Sequence, residues 1–147
     1  MAIATWYDLL QAHVTFLSGV SGIPAPQVRK LAGSLPDDLL PACIVAKLDA
    51  EQLVESNFAQ QDLYRYPIGV FLVQSRNRSF EVTPTQLINR ETLRQKLDVR
   101  PPLGNIVTGI HDVTLTPLDP YGDDENSVFD VTGFRCDYDV WEARTSA

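Results

Sequence analysis

An apolar run in the middle of the chain, Tyr66–Val73 (YPIGVFLV), constrains the fold more than any other feature. Successive side chains of a strand point to opposite faces, and in this run both alternating sets are apolar. We therefore expect a central strand that is covered on both faces of a sheet. Pro67 fits this assignment because it stands at the beginning of the strand, where a proline is tolerated.

Three other segments have strand character. Ala42–Leu48 (ACIVAKL) is apolar almost throughout, and Ile106–Thr116 and Val128–Glu142 are two long candidates near the end of the chain. In the last segment, apolar and charged residues alternate from Phe134 to Val140. This alternation is typical of a half-buried antiparallel strand.

The final two strands carry two further signals. Upstream of Phe134 the apolar parity shifts to Phe129 and Val131, and a one-residue shift turns every side chain over. A β-bulge near Gly133 explains the shift. Both strands also exceed the usual length of ~5–6 residues. We expect a long hairpin that a neighbouring subunit can pair with.

Helices are predicted at the start and in the middle of the chain. The first has Thr5 as a candidate N-cap, and apolar residues recur at helical spacing through Leu17. A short second helical turn is predicted over Pro26–Ala32, because proline favours the first helical position. The third helix begins at Thr83–Gln86, which has the residues of a capping box, and runs to about Leu97.

These elements predict one domain, residues 1–147, of the α+β class. The length fits a single core. A mainly antiparallel β-sheet flanked by helices accommodates the order of elements. Residues 49–62 form either a brief helix or an excursion between strands.

Charge and cysteine content restrict the partners. A net charge of −7 repels phosphate backbones, so direct DNA binding is not expected. The chain has no apolar run near the ~18 residues that span a bilayer, and no basic residue ahead of an apolar N-terminal core, so neither a membrane span nor a signal peptide is expected. Cys43 and Cys136 are expected to be buried reduced thiols, with one disulfide as the alternative.

The sequence offers no motif for catalysis: phosphate-binding loops, zinc-hydrolase motifs and serine-hydrolase motifs do not occur. His13 and His111 are interpreted as core or edge residues that make a hydrogen bond, against a catalytic alternative. The acidic loop Asp119–Asn126 departs from the calcium-loop spacing. We interpret it as a solvated hairpin tip, with weak metal binding as the alternative. No enzymatic activity and no cofactor are expected.

Seven residues are candidates for contacts between subunits: Arg76, Asn77, Arg78, Arg90, Arg94, Tyr121 and Trp141. The first three follow the central strand and form either a polar turn or an arginine pair that meets a neighbour's carboxylates. Arg90 and Arg94 interrupt an apolar helix stripe, where they either contact another chain or extend over their own core. Trp141 lies on the polar parity of its strand, so it is either a core residue or an interface anchor.

Five stretches carry a family resemblance: the opening helix through Leu17, the strand CIVAKL, the aromatic run LYRYPIGVFLV, the helix beginning TPTQL, and the closing strand Tyr138–Glu142. In this order they resemble the tail-terminator and neck proteins of long-tailed bacteriophages, which are small α/β subunits of hexameric rings. Residues 49–62 do not align with that pattern, and the proline-rich joint Arg100–Leu103 is not diagnostic. Both regions also fit a head–tail connector or stopper.

The resemblance implies a mechanical function. Copies of the chain form a closed ring, expected as a hexamer, through head-to-tail contacts. The ring caps the tail tube protein, stops its polymerisation and docks head–tail connector proteins. DNA passes through the ring without sequence-specific binding, and an acidic bore avoids attraction to it. The implied location is the neck of the virion, after assembly in the host cytoplasm. A small ligand-binding or enzymatic domain is the competing class.

Overall fold

Helices cover one face of a six-stranded sheet in the computed structural model, which describes residues 5–29, 41–57, 60–76, 84–118 and 129–143. The sheet is mixed but mostly antiparallel, so the predicted α+β class is confirmed. The helices are α1 (Thr5–Leu17), α2 (Pro84–Leu97) and a short 3₁₀ helix (Pro102–Asn105). The strands are β1 (Pro26–Val28), β2 (Ala42–Lys47), β3 (Gln52–Ser56), β4 (Gln61–Arg76), β5 (Ile110–Leu118) and β6 (Phe129–Ala143).

The central position of β4 is confirmed, and the strand is longer than the apolar run predicts. The strand order is β1-β2-β4-β6-β5, and β3 also pairs with β4. β2 and β3 both run antiparallel to β4 on the edge away from β6. Ile68, Val70 and Leu72 are fully buried on the helix face, whereas Phe71 and Val73 are buried on the opposite face.

The main core lies between the sheet and the two helices. α1 contributes Leu9 and Leu17, and α2 contributes Leu93 and Leu97, all of which are almost fully buried. Their apolar side chains recur at helical spacing, so each helix buries one face on the sheet. Within the described residues, no helix is long and apolar enough to cross a membrane.

A smaller apolar cluster occupies part of the other face of the sheet. Ile44, Ala46, Phe71 and Val73 form it, and the Phe71 ring lies over two glycines. A Cβ atom at Gly133 would stand 2.5 Å from Phe71 Cδ1. A Cβ atom at Gly69 would stand equally close to Cε2 of the same ring, at 2.5 Å. Glycine is therefore required at both positions by the close approach of the ring.

In the first half of the chain the structure corrects one sequence expectation and decides between two alternatives that the sequence leaves open. The helical turn predicted over Pro26–Ala32 is wrong at its start, because Pro26–Val28 forms β1 and pairs in parallel with β2, and residues 30–32 lie outside the described residues. A proline at the start of an edge strand leaves the ladder intact. Residues 49–62 contain β3, so the alternative of an excursion between strands is the closer one, and that excursion itself joins the sheet.

The bulge predicted near Gly133 is also misplaced. β6 pairs with β4 without interruption from Val131 to Ala143. The register shifts on the partner strand instead, between Val73 and Ser75, where β4 carries the extra residue. The change of apolar parity along β6 therefore does not mark an irregularity of β6 at Gly133.

Candidate interaction surfaces

His13 belongs to a buried hydrogen-bond network in the main core. Its Nδ1 lies 2.7 Å from the Leu9 carbonyl oxygen, and its Nε2 lies 2.9 Å from the Tyr138 hydroxyl. A carbonyl can only accept, so Nδ1 carries the proton and Nε2 accepts from Tyr138. Burial lowers the pKa of His13 to about 4, against a smaller opposing effect of the Leu9 hydrogen bond. The imidazole is neutral near pH 7, and both of its nitrogens are engaged.

The two cysteines are unpaired and buried, as the sequence predicts. Both are fully shielded from solvent, and burial raises the pKa of each thiol to about 12. Thiolate is the reactive form of cysteine. At neutral pH these residues therefore behave as small apolar core residues, and neither is activated as a nucleophile.

The N-terminus of α1 is fastened to the sheet by polar contacts. The Thr5 hydroxyl and the Tyr66 hydroxyl both donate to Glu142 Oε1, at 2.7 and 2.8 Å. Trp6 Nε1 donates to Glu51 Oε2 at 2.8 Å, and the Trp6 ring packs edge-on against Tyr66. Burial and the neighbouring Glu142 raise the pKa of Tyr66. These groups satisfy one another, which is the arrangement of a structural contact.

Charged residues occupy the middle of the sheet face opposite the helices. Arg65 of β4 pairs with Asp139 of β6 through Nε and Oδ1 at 2.9 Å, directly across the two strands. Arg135 pairs with Asp137 along β6 at 3.0 Å. The hydrogen bonds that Arg65 donates to Asp139, together with the negative charge of that carboxylate, raise the pKa of Arg65. This part of the face therefore consists of ion pairs formed within the chain.

Both arginines of α2 pair with Glu91, Arg90 through Nη1 and Oε1 at 3.2 Å, and they differ in what else they contact. The Arg90 guanidinium lies over the buried Phe134 ring, 5.1 Å from its centroid, so this arginine extends over its own core. Arg94 Nη2 pairs with Glu91 Oε2 at 2.9 Å on the exposed side of the helix. The hydrogen bond and charge of Glu91 raise the pKa of Arg94. Of the two alternatives left by the sequence, core packing holds for Arg90.

Trp141 lies on the sheet face opposite the helices, as its parity indicates. It is half-buried, stands across from the buried Leu63 in the β4–β6 ladder, and meets the His111 ring edge-on at 6.1 Å between centroids. His111 itself is exposed. Trp141 is therefore outside the main core, and its use as an interface anchor stays a prediction.

Four further candidates lie wholly or partly outside the described residues. Arg76 is the last residue of β4, and its side chain lies outside the described part of the structure. Asn77, Arg78 and Tyr121 lie outside the described residues, as does the acidic loop Asp119–Asn126. Among the residues that are described, no group of three or more His, Cys, Asp and Glu side chains is placed to hold a metal ion.

Exposed aliphatic residues are the surface feature that the sequence reasoning missed. Leu53 and Val54 of β3 are 53% and 42% exposed, and all five residues of this strand are exposed. Leu87 and Ile88 of α2 are 53% and 63% exposed. The helical pattern placed Leu87 in the apolar stripe, but the packing of α2 buries only the Leu93 and Leu97 side of it.

Comparisons with protein-family models and with curated proteins found no match for the chain.

Proposed function

We propose that this chain is a structural subunit that assembles with copies of itself, forming the ring that ends the tail tube of a tailed bacteriophage. The observation that carries the proposal is the aliphatic surface that the described part of the domain exposes in addition to its buried core. Two such pairs, Leu53 with Val54 and Leu87 with Ile88, lie on different elements. Exposed apolar patches on soluble domains commonly mark contacts with another protein.

The edges of the sheet support a contact at β3 in particular. On the β5 edge, Arg100 Nη2 donates to the Val113 carbonyl oxygen at 3.2 Å, and Pro117 interrupts the row of amide donors. Both are devices that protect a strand edge from pairing with another chain. β3 carries aliphatic residues instead, and in the described part of the chain it pairs with β4 alone. Because β3 is itself short and bulged between Leu53 and Glu55, its exposed aliphatic side chains support a contact more than its backbone edge does.

The buried histidine supports a structural function over catalysis. His13 is neutral, fully buried and hydrogen-bonded at both nitrogens, so it has no free atom to offer a substrate. A catalytic acid or base has to reach the group whose proton it transfers. The use of histidine as a catalytic acid or base therefore does not apply to this position.

In the proposed ring, copies contact one another head to tail, and a hexamer is the expected number. The ring binds the end of the tail tube, stops its growth and presents a docking face to the head. The net charge of −7 fits a bore through which DNA slides without being held. A ring structure whose bore is dominated by Lys and Arg would overturn this part of the proposal.

The experiment is electron microscopy of the purified protein, alone and added to polymerising tail tubes. We expect closed rings, or rings that form on tube ends, together with tubes of limited length. Tubes that grow without limit and carry no added density at their ends, alongside a protein that forms no rings by itself, would contradict the proposal.

A further inference from the structure

The two exposed aliphatic pairs lie in neighbourhoods of opposite net charge. The first, named here the β3 patch, comprises Leu53 and Val54 with Glu51 and Glu55, all of which are exposed. Residues 48–57 hold three acidic residues, Asp49, Glu51 and Glu55, and no Lys or Arg. The neighbouring cations are Lys47, which interacts with Glu51, and Arg65, which faces Gln52 across the ladder and pairs with Asp139, so acidic residues are in excess around β3.

The second, named the α2 patch, comprises Leu87 and Ile88 with Arg90 and Arg94. α2 holds three basic residues, including Lys96, against one acidic residue, Glu91, which gives the helix a charge of +2. The whole chain carries −7, so a basic helix is the exception in this molecule. Glu91 lies one helical turn from Leu87 and Ile88 and pairs with both Arg90 and Arg94, so the basic character of the α2 patch is the net excess of cations over this one carboxylate.

The two patches cannot cover each other within one chain. β3 lies at the sheet edge on the far side of β4 from β6. α2 packs over β6, where Arg90 covers Phe134. Leu53 and Leu87 each keep about half of their surface open to solvent, so neither is buried by the other. Each patch is available to a different copy of the chain.

We infer that the α2 patch of one copy docks against the β3 patch of the next. The four aliphatic side chains form the apolar centre of this contact, and the acidic and basic residues form its rim, as is usual for protein interfaces. The inference rests on the proposed function for its setting in a ring. Because each copy uses two different surfaces, the contact is heterologous, and repetition closes a ring or extends a filament.

Opposite rim charges also make the contact sensitive to salt. Exposed charges more than about 10 Å apart are largely screened at 0.1 M ionic strength. We expect self-association to weaken as sodium chloride is added, because the α2 and β3 rims lose their attraction. An interface between two identical acidic surfaces would respond in the opposite direction.

The test uses two variants that each disable one patch: Leu53→Asp in β3 and Ile88→Asp in α2. Both positions are more than half exposed, so the folded domain tolerates the change. In sedimentation velocity, each variant alone should self-associate at least about tenfold more weakly than the wild type, since a charge is placed in the apolar centre. An equimolar mixture should form a 1:1 heterodimer, because each variant keeps the patch that the other lacks.

Ile106→Asp is the matched control, since Ile106 is 47% exposed but lies in neither patch. This variant should self-associate like the wild type. The inference is overturned if the wild type stays monomeric at its highest soluble concentration. It is equally overturned if the two variants fail to combine although the wild type associates, or if Ile106→Asp disrupts association as strongly as they do.

A cross-linking measurement separates this inference from the proposed function. Leu53→Cys and Leu87→Cys copies, when mixed, should be joined by a short bismaleimide, whereas each variant alone should not. The native cysteines are fully buried and add no background. If the protein forms rings but this cross-link is absent, the docking of the α2 patch on the β3 patch is wrong, whereas the proposed ring function stands. If the cross-link forms but the protein makes no ring and leaves tail tubes unaffected, the docking contact stands and the proposed function is contradicted.

Discussion

The ring of Phe71 lies against the backbone of Gly133, its direct partner across β4 and β6. Aromatic rings that cover strand glycines compensate for the packing that a missing side chain loses. Here the ring covers Gly69 as well, so three residues on two strands form one unit beneath the second apolar cluster. The unit explains why glycine interrupts two otherwise apolar or charged strands.

We predict that Gly133→Ala destabilises the domain by about 1–3 kcal/mol, the usual cost of overpacking a filled site. The new methyl group would stand 2.5 Å from a ring carbon of Phe71, so the ring or the strand has to move. Urea denaturation of the wild type and the variant measures the difference in the free energy of unfolding.

Phe71→Leu supplies the control for this prediction. In that background the ring is absent, so Gly133→Ala should lower the free energy of unfolding by less than it does in the wild type. A double-mutant cycle reports this coupling directly. Equal costs in the two backgrounds would show that the methyl group is excluded by something other than Phe71.

A second prediction concerns the stability of the domain in acid. The folded pKa of His13 is lowered to about 4, from 6.5 in the unfolded chain. As the pH falls from 6.5 to 4, His13 binds a proton in the unfolded chain but stays neutral in the folded chain. The free energy of unfolding should therefore decrease across this window, by about 3 kcal/mol from His13 alone. Denaturation at several pH values measures it.

His13→Gln isolates this effect from the carboxylates that also titrate in acid. The variant should be less stable than the wild type near pH 7, because it disturbs the hydrogen bonds to Leu9 and Tyr138. Its stability should nevertheless fall less steeply between pH 6.5 and 4. Parallel pH profiles for the two proteins would mean that His13 is not held neutral in the folded state.

Local hydrophobic and capping patterns in the sequence predict much of this fold, but they do not predict which surfaces stay exposed. The doubly apolar run at Tyr66–Val73 specified a central strand, and the capping residues before Leu87 specified a helix. β1 was misassigned because three residues beginning with Pro26 become a strand only through pairing with β2. The bulge within β3, between Leu53 and Glu55, breaks the alternation that would have revealed a strand.

The core network was equally beyond local reasoning. His13 and Tyr138 are 125 positions apart, and only the packing of α1 on β6 brings them together. Arg90 interrupts the apolar stripe of its helix, which fits either a contact with another chain or packing over its own core. The fold decides between these two alternatives, because it places Phe134 beneath Arg90. Long-range contacts of this kind leave no periodic signal in the sequence.

A third prediction is that neither native thiol reacts in the folded protein. Cys43 and Cys136 are fully buried, and burial raises the pKa of each thiol to about 12. A thiol-specific chromogenic reagent should therefore detect no rapid reaction at pH 8 and two thiols after unfolding in guanidinium. Rapid reaction of one thiol in native buffer would contradict the burial of that residue, and single Cys→Ala variants would identify it.

The last prediction compares the two arginines of α2, which have similar exposure and both pair with Glu91, whereas Arg90 also lies over Phe134. Arg90→Ala should lower the free energy of unfolding by about 1 kcal/mol, because it removes both the guanidinium above Phe134 and the aliphatic stem that covers the core. Arg94→Ala should change it by no more than about 0.5 kcal/mol, since its ion pair with Glu91 is exposed. Urea denaturation distinguishes the two variants. If Arg94→Ala is as costly as Arg90→Ala, the position of Arg90 over the ring contributes nothing of its own.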